Sequence, residues 1–253
     1  MILTPDQQLR LEKANKRLLK NPNDIDALQR RGDLLRIGED FEGALEDFLN
    51  ANRLKPNDAR TLKAIGATKR KMKEYEDAIE YLNLALSLHN EDKEEDPYIY
   101  KVRGATKIAM GDMEGAYADL TKARVLTKED DYFILQHLGQ VKREMGRLEE
   151  SLEDLDIAWS VYPVDYYTIW QRAETKRDLG NLEGALEDIN KAADLSDNHP
   201  EVINSRAIIK DMLGDTKGYK EDIQLANNQQ TILENRAMEE KESRMRRKGK
   251  TTL

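Results

Sequence analysis

Residues Asp165–Asp197 read DYYTIWQRAETKRDLGNLEGALEDINKAADLSD, and this stretch decides the fold. Apolar and small side chains recur at helical spacing on both sides of Gly180-Asn181, which predicts two short helices joined by a tight turn. Neither helix has an apolar face broad enough to be stable alone. Because the same pattern recurs along almost the whole chain, the sequence predicts a stack of helix pairs.

Two series of small residues keep the same spacing along the chain. The first helices carry Gly32, Gly66, Gly104, Gly139, Ala173 and Ala207. The second helices carry Ala44, Ala78, Ala116, Ser151 and Ala185, with Tyr219 in the last pair. The turns between the helices contain Gly38, Gly111, Gly146, Gly180 or Gly214, as expected where a helix ends. Two series in one register indicate a true repeat, which a chance bundle of helices would not produce.

A helix–turn–helix repeat of about 34 residues with this small-and-large pattern resembles the tetratricopeptide repeat family. The resemblance covers about four fifths of the chain and implies an all-α, right-handed superhelical solenoid. Six repeats are predicted at residues 25–58, 59–92, 97–130, 132–165, 166–199 and 200–233. A capping helix or half-repeat is predicted at 1–24, beginning with a Thr4–Gln7 capping box, and a charged capping helix with a basic tail at 234–253.

Charged residues depart from the family pattern at fixed positions. Lysine occupies the eleventh position of five repeats, at Lys69, Lys107, Lys142, Lys176 and Lys210. Aspartate occupies the twenty-third, at Asp47, Asp119, Asp154, Asp188 and Asp222. Arginine stands at the usually apolar seventh, at Arg31, Arg103, Arg172 and Arg206. We interpret the lysines and aspartates as a ladder of ion pairs within repeats, with a solvated charged face as the alternative.

The composition excludes several classes of protein. The chain has no cysteine, so disulfides and thiolate metal sites are ruled out. No apolar run approaches the ~20 residues of a membrane span, and the N-terminus lacks a signal-peptide pattern, so the sequence predicts a cytoplasmic protein. His89, His137 and His199 lie in different repeats without metal-ligand or catalytic spacing. With no phosphate loop or nucleophile elbow either, we expect no enzyme activity, no metal and no cofactor.

The resemblance implies that the first helices line a concave groove. Aromatic residues fall at inward positions at Tyr98, Phe133, Tyr167 and Trp170, and arginines at Arg36, Arg70, Arg143 and Arg177. The candidate partner-binding residues are Arg70, Tyr98, Lys101, Phe133, Gln136, Arg143, Tyr167, Trp170, Glu174 and Arg177. The sequence thus predicts a non-enzymatic scaffold that binds an extended acidic or aromatic peptide across repeats two to five. The alternative is that the aromatic rings pack between neighbouring repeats; for Trp170, binding is favoured.

The sequence also bears on three other modes of association. Family members that bind chaperone C-termini use a carboxylate clamp, which is not matched at the corresponding positions Gln29, Asp33, Ala64, Tyr98 and Val102. The basic tail Arg244–Lys250 suits nucleic acid, an anionic surface or a nuclear import receptor, although the net charge of −8 argues against binding by the whole body. Structural self-assembly through the end repeats is the third alternative.

Overall fold

A computed structural model describes residues 3–88, 95–127 and 130–250, with side chains as far as residue 239. Over these residues the chain forms thirteen α-helices and no strand, which confirms the predicted all-α class. The helices are α1 (Pro5–Lys20), α2 (Ile25–Ile37), α3 (Phe41–Leu54), α4 (Ala59–Lys71), α5 (Tyr75–Ser87), α6 (Pro97–Met110), α7 (Met113–Leu126), α8 (Tyr132–Glu144), α9 (Leu148–Val161), α10 (Tyr166–Asp178), α11 (Leu182–Leu195), α12 (Pro200–Met212) and α13 (Thr216–Lys250).

The chain divides into two compact units, Met1–Glu129 and Asp130–Leu253. Within each unit every helix packs against the next one along the chain. The first helices of consecutive pairs also contact each other, α2 with α4 and α4 with α6 in unit 1, and α8 with α10 and α10 with α12 in unit 2. We call the surface made by α2, α4 and α6 the first-helix face of unit 1, and that made by α8, α10 and α12 the first-helix face of unit 2.

Each helix pair closes where a small residue of the first helix meets a large residue of the second. A Cβ atom added to Gly139 would lie 2.5 Å from Leu155 Cγ, and one added to Gly66 would lie 2.7 Å from Leu82 Cγ. Both leucines are fully buried. Glycine is therefore required by close helix approach at these positions, as the sequence pattern indicated.

The turn inside each pair places one residue in the left-handed region. Gly111, Gly146, Gly180 and Gly214 have φ between 75° and 82°. In the first pair, Gly38 ends α2 as predicted with φ −76°, and the next residue, Glu39, takes the left-handed conformation at φ 65°. The following residue, Asp40, donates its N–H to the Leu35 carbonyl at 2.9 Å. This hydrogen bond closes the turn with Glu39, the residue after Gly38, in the left-handed position.

The predicted lysine–aspartate ladder is confirmed in all four repeats that contain both residues. The Nζ–Oδ2 distances are 2.8 Å for Lys107–Asp119, 2.7 Å for Lys142–Asp154, 2.7 Å for Lys176–Asp188 and 2.8 Å for Lys210–Asp222. The carboxylates lie at the interface of the two helices and are almost fully buried. The ladder therefore belongs to the architecture of the repeat.

An arginine that was not paired from the sequence also binds three of these four aspartates, and it binds Asp47 in the first repeat. The arginine at the seventh position donates both Nε–H and Nη2–H to the same carboxylate in Arg31–Asp47, Arg103–Asp119, Arg172–Asp188 and Arg206–Asp222. Its Nη1 reaches the preceding helix pair, for example from Arg172 to Asp156 at 2.9 Å. Each such arginine thus joins its own pair and the pair before it.

The buried carboxylates of the ladder make the free energy of unfolding depend on pH. Burial opposes the charged form of Asp222, but hydrogen bonds from Arg206 and Lys210 outweigh it and hold the pKa of this carboxyl below its usual 3.8. A lowered folded-state pKa contributes stability that is fully present above pH ~4 and is lost as pH falls through the folded-state value. We expect Asp222→Asn to be less stable than wild type at pH 7, with the difference shrinking below pH ~4. Urea unfolding at a series of pH values measures this difference, and a pH-independent gap would contradict it.

The two ends of the chain agree to different degrees with the sequence predictions. Thr4 and Gln7 form the predicted capping box, and Ala14 and Leu18 of α1 are buried. At the other end, the boundary predicted at residue 234 is not a break, because α13 continues as one helix from Thr216 to Lys250. No proline interrupts this segment, and its Glu, Lys, Arg, Met and Ala residues favour helix after the apolar pattern ends. The side chains of the basic tail Arg244–Lys250 lie outside the described residues.

Candidate partner-binding faces

On the first-helix face of unit 1, Tyr98 lies between two lysines. Lys63 Nζ is 5.5 Å and Lys101 Nζ is 5.8 Å from the centroid of its half-buried ring. Lys63 also forms an ion pair with Asp96, the N-cap residue of α6. The ring thus presents an aromatic surface with positive charge on two sides.

A cavity of about 310 Å³ opens beside Tyr98. It is lined by Gln29, Asp33, Arg36, Phe48, Arg60, Thr61, Lys63, Ala64 and Tyr98. Asp33 contacts two of the cations, with Nη2–O distances of 3.5 Å to Arg36 and 3.4 Å to Arg60. The lining is therefore mixed in polarity with an excess of positive charge.

Arg70 extends this positive region along α4. It is half-buried, and within the described part of the chain its guanidinium forms no ion pair; its buried Nε has no hydrogen-bond partner. Burial lowers the pKa of Arg70, and the charge of Arg36 lowers it further. Desolvation and the charges of Arg70 and Arg36 likewise lower the pKa of Lys71. Arg36, Arg70 and Lys71 thus place three positive charges close together, with Asp33 beside Arg36 and Glu39 acting on Lys71 as the nearby carboxylates.

Unit 2 carries the aromatic part of the predicted site. Phe133 is half-buried and stacks on His137, with ring centroids 4.0 Å apart. Tyr167 meets Trp170 edge to face at 5.7 Å and donates its hydroxyl to Gln140 Oε1 at 3.1 Å. Burial raises the pKa of Tyr167 to about 12, so this hydroxyl stays protonated at neutral pH. One aromatic pair thus lies on α8 and the other on α10, and the hydrogen bond from Tyr167 to Gln140 links the two helices.

Two residues of unit 2 that were predicted to bind a partner instead form hydrogen bonds to the next repeat. Gln136 is only 4% exposed, and its amide donates to Asp165 and, at 2.7 Å, to Thr168 Oγ1. Trp170 is half-buried, packs on the core of unit 2 and donates Nε1–H to Ser205 Oγ at 2.9 Å. The amide of Gln136 is therefore not available to a partner, and Trp170 offers only part of its ring.

The charged residues of the same face form ion pairs with one another. Arg143 contacts Asp178 at 3.0 Å and Glu144 at 2.7 Å. Arg177 contacts Glu174 and Asp178, each at 2.7 Å. Glu174, predicted to face a partner, is 8% exposed and is held by this contact. The first-helix face of unit 2 is thus aromatic and nearly balanced in charge, whereas that of unit 1 is positive.

The predicted site residues therefore fall into two groups. Arg70, Tyr98 and Lys101 lie on α4 and α6 of unit 1, and the other candidates lie on α8 and α10 of unit 2. Lys63 and Arg60 were missed. Lys63 occupies the fifth position of its repeat, as Trp170 and Gln136 do, so the same positional argument would have found it.

Other site types find no support in the described residues. No group of three or more histidine, aspartate or glutamate side chains there is placed to hold a metal ion. No helix in the described part of the chain has the length and apolar character to cross a membrane. His89 lies outside the described residues, while His137 stacks on Phe133 and His199 on Tyr166.

Comparisons place this geometry among known proteins. The tetratricopeptide repeat family model matches residues 59–92. Among solved structures, the chain is similar to one in the APC/C hetero-tetramer Cut9–Hcn1, with a TM-score of 0.78 and 15% identity over 87% of this chain; it spans 42% of that chain. It is also similar to PilW, a type IV pilus biogenesis factor, with a TM-score of 0.70 and 18% identity over 83% of this chain and 98% of PilW.

A third similar structure is YrrB, described as having an unusual peptide-binding site. Its TM-score is 0.57 and its identity 21%, over 78% of this chain and 98% of YrrB. At these identities the solved structures establish a shared fold. A search of the curated proteins found no match.

Proposed function

We propose that this chain is a tetratricopeptide repeat protein and acts as a non-enzymatic scaffold that binds an extended segment of a partner protein on its first-helix faces. One observation carries the proposal. Tyr98 and Phe133 keep part of their rings accessible on the first-helix faces, although Tyr98 also packs on the core of unit 1 and Phe133 stacks on His137. Aromatic and arginine side chains supply most of the binding energy at protein interfaces.

The shape of the unit 1 face favours an extended segment over a folded domain. Its cavity of about 310 Å³ is at the lower end of the size range of small-molecule sites, so it accommodates one or two side chains. The peptide-binding site ascribed to YrrB supports the same class of partner by analogy of fold. We assign Tyr98 and Phe133 the role of anchors, with Trp170 and Tyr167 shaping the surface between α8 and α10.

Selection from a peptide library displayed on phage, with the purified protein as bait, tests the proposal without a known partner. The affinity of each selected peptide is then measured by fluorescence anisotropy. Tyr98→Ala reports on unit 1 and Phe133→Ala reports on unit 2. Tyr162→Ala is a matched aromatic control, because Tyr162 is 45% exposed and follows α9, a second helix.

We expect Tyr98→Ala or Phe133→Ala to weaken the selected peptides by about tenfold or more, since truncating an interface anchor costs over 1 kcal/mol. Tyr162→Ala should bind as wild type does. Circular dichroism would verify that each variant keeps its helices. The proposal is wrong if no peptide is enriched, or if both face variants bind every selected peptide as tightly as the control does.

Self-association is a second candidate, favoured by the exposed end of α13. Ile232, Leu233 and Met238 are 43%, 39% and 61% exposed there. Apolar side chains exposed on a helix surface favour contact with a second copy. Light scattering over a range of concentrations separates the two candidates, because a mass that stays that of one chain excludes self-association. Binding through Arg244–Lys250 remains a prediction from the sequence, tested by deleting that segment and measuring nucleic-acid binding at two salt concentrations.

A further inference from the structure

We propose that the first-helix face of unit 1 recognises acidic peptide segments, with Arg36, Arg70 and Lys71 as the carboxylate-binding cations. This inference rests on the proposed function and specifies the chemistry of the partner at one of the two faces. It moves acid recognition away from Arg143 and Arg177, which the sequence analysis grouped with Arg70.

The first step is the state of Arg70. An arginine withdrawn from water is normally accompanied by a carboxylate, because an unpaired buried charge is costly. Arg70 has no such partner within the described residues, and its Nε is both buried and without a hydrogen-bond acceptor. The lowered pKa of its guanidinium follows from that desolvation. A carboxylate from outside the chain would supply the missing counter-charge.

The second step concerns the cations near Arg70. Arg36 occupies the equivalent position one repeat earlier, and its Nε is also buried without an acceptor. Its contact to Asp33 is long, at 3.5 Å. Lys71 follows Arg70 directly; desolvation lowers its pKa most, the charges of Arg70 and Arg36 lower it further, and Glu39 opposes them. Three cations that repel one another in the free protein form a site whose repulsion an anion relieves.

The third step is the contrast with unit 2, where the same repeat position is already neutralised. Arg143 and Arg177 share Asp178 at 3.0 Å and 2.7 Å. Glu144 and Glu174 supply further carboxylates, although Arg143 Nε is buried without an acceptor, as in Arg36 and Arg70. An acidic ligand would have to displace these carboxylates, so it gains less there than on unit 1. The difference between the faces therefore lies in the neighbours of the arginines, since the arginines themselves occupy equivalent positions.

A peptide carboxylate fits this site better than a nucleic-acid backbone. The chain carries a net charge of −8, which repels a long polyanion beyond the immediate cluster. The neighbouring cavity, lined by Arg36, Arg60, Lys63 and Tyr98, accepts a side chain and presents a guanidinium fork and an aromatic ring. Discrete carboxylates on a flexible chain match separate cations and a small cavity, whereas nucleic-acid binding depends on a continuous basic track.

The test uses a dye-labelled polyglutamate peptide, with a polyglutamine peptide of the same length as the neutral comparison. Anisotropy is measured for the whole protein, for Arg36→Gln/Arg70→Gln and for Arg10→Gln/Arg53→Gln. The last variant removes the same charge from unit 1, but on α1 and α3, away from the first-helix face. We expect the Arg36/Arg70 variant to bind polyglutamate at least about tenfold more weakly, because it loses charge-assisted hydrogen bonds, and the control to stay within about twofold of wild type.

Several results would overturn the proposal. These are equal binding of polyglutamate and polyglutamine, equal losses in the two variants, or tighter Arg36/Arg70-dependent binding of a single-stranded oligonucleotide. Thermal melting guards against unfolding, since removing crowded cations should leave the melting temperature unchanged or raised. Arg70→Lys keeps the charge but loses the planar fork, and its intermediate affinity would separate pairing geometry from charge alone. If Tyr98→Ala weakens selected peptides while polyglutamate does not bind, the scaffold function stands and only its acid specificity falls.

Discussion

Replacing Asp188 with alanine is expected to lower the free energy of unfolding of unit 2 by about 3–5 kcal/mol. Asp188 is 1% exposed and accepts two hydrogen bonds from Arg172, both at 2.7 Å. Lys176 completes the site at 2.7 Å. Without the carboxylate, two cations would face each other at a helix interface, and removing one side of a buried pair is far more costly than the pair's net contribution.

The adjacent residue provides the control. Glu187 pairs with Lys191 on the surface of the same helix, with the two side chains 70% and 52% exposed. Glu187→Ala should therefore change stability by less than about 1 kcal/mol. Both tryptophans of the chain, Trp159 and Trp170, lie in unit 2, so urea unfolding followed by tryptophan fluorescence reports on this unit. Equal losses in the two variants would show that the ladder carries no particular weight.

A third variant separates the net contribution of the ion network to stability from the loss caused by removing only its carboxylate. Replacing Arg172, Lys176 and Asp188 together by apolar residues of similar volume should recover most of the stability lost in Asp188→Ala. Well-packed apolar groups often equal or exceed a buried ion network in stability. If the triple variant stayed as unstable as the single one, the ion network would contribute more stability than apolar packing at the same positions.

The ladder shows what a repeated sequence reveals and what it conceals. Lys176 and Asp188 were paired from the sequence because the two residue types recur together. Arg172 was noticed only as a departure from the apolar seventh position, although its separation of 16 residues from Asp188 is the same in three other repeats. The signal was present, but two cations on one carboxylate become evident only once the helices are packed.

The candidate site was harder to predict than the fold, because position within a repeat fixes direction and not environment. Gln136 points toward the predicted face, yet it meets Asp165, the N-cap of the next first helix, and is covered by it. Arg70 and Arg177 share a repeat position but differ in ion pairing, since within the described residues only Arg177 contacts carboxylates. Asp165 reaches Gln136 from the start of the next first helix, which a pattern within one repeat does not show. Glu174 and Asp178, in contrast, lie beside Arg177 in its own repeat, so the local sequence carried that signal.

The second large effect is steric: Gly139→Ala is expected to destabilise unit 2 by about 2 kcal/mol. Alanine favours a helix over glycine by up to about 1 kcal/mol, so propensity alone predicts a gain. Overpacking works against it at a cost of about 1–3 kcal/mol, or more where the site cannot relax. The new Cβ would lie 2.5 Å from Leu155 Cγ, and Leu155 is fully enclosed, so we expect the clash to outweigh the gain.

The chain itself suggests the rescue. At the matching positions of the next repeat, alanine faces isoleucine, because Ala173 and Ile189 are fully buried members of one cluster. Leu155→Ile should therefore relieve Gly139→Ala, since it moves a methyl group away from the Cγ position. A double-mutant cycle measures this as a coupling energy of about 1 kcal/mol or more, read from urea unfolding of the two single variants and the double variant. If the effects are additive within about 0.5 kcal/mol, size matching between the two helices does not explain why glycine stands at residue 139.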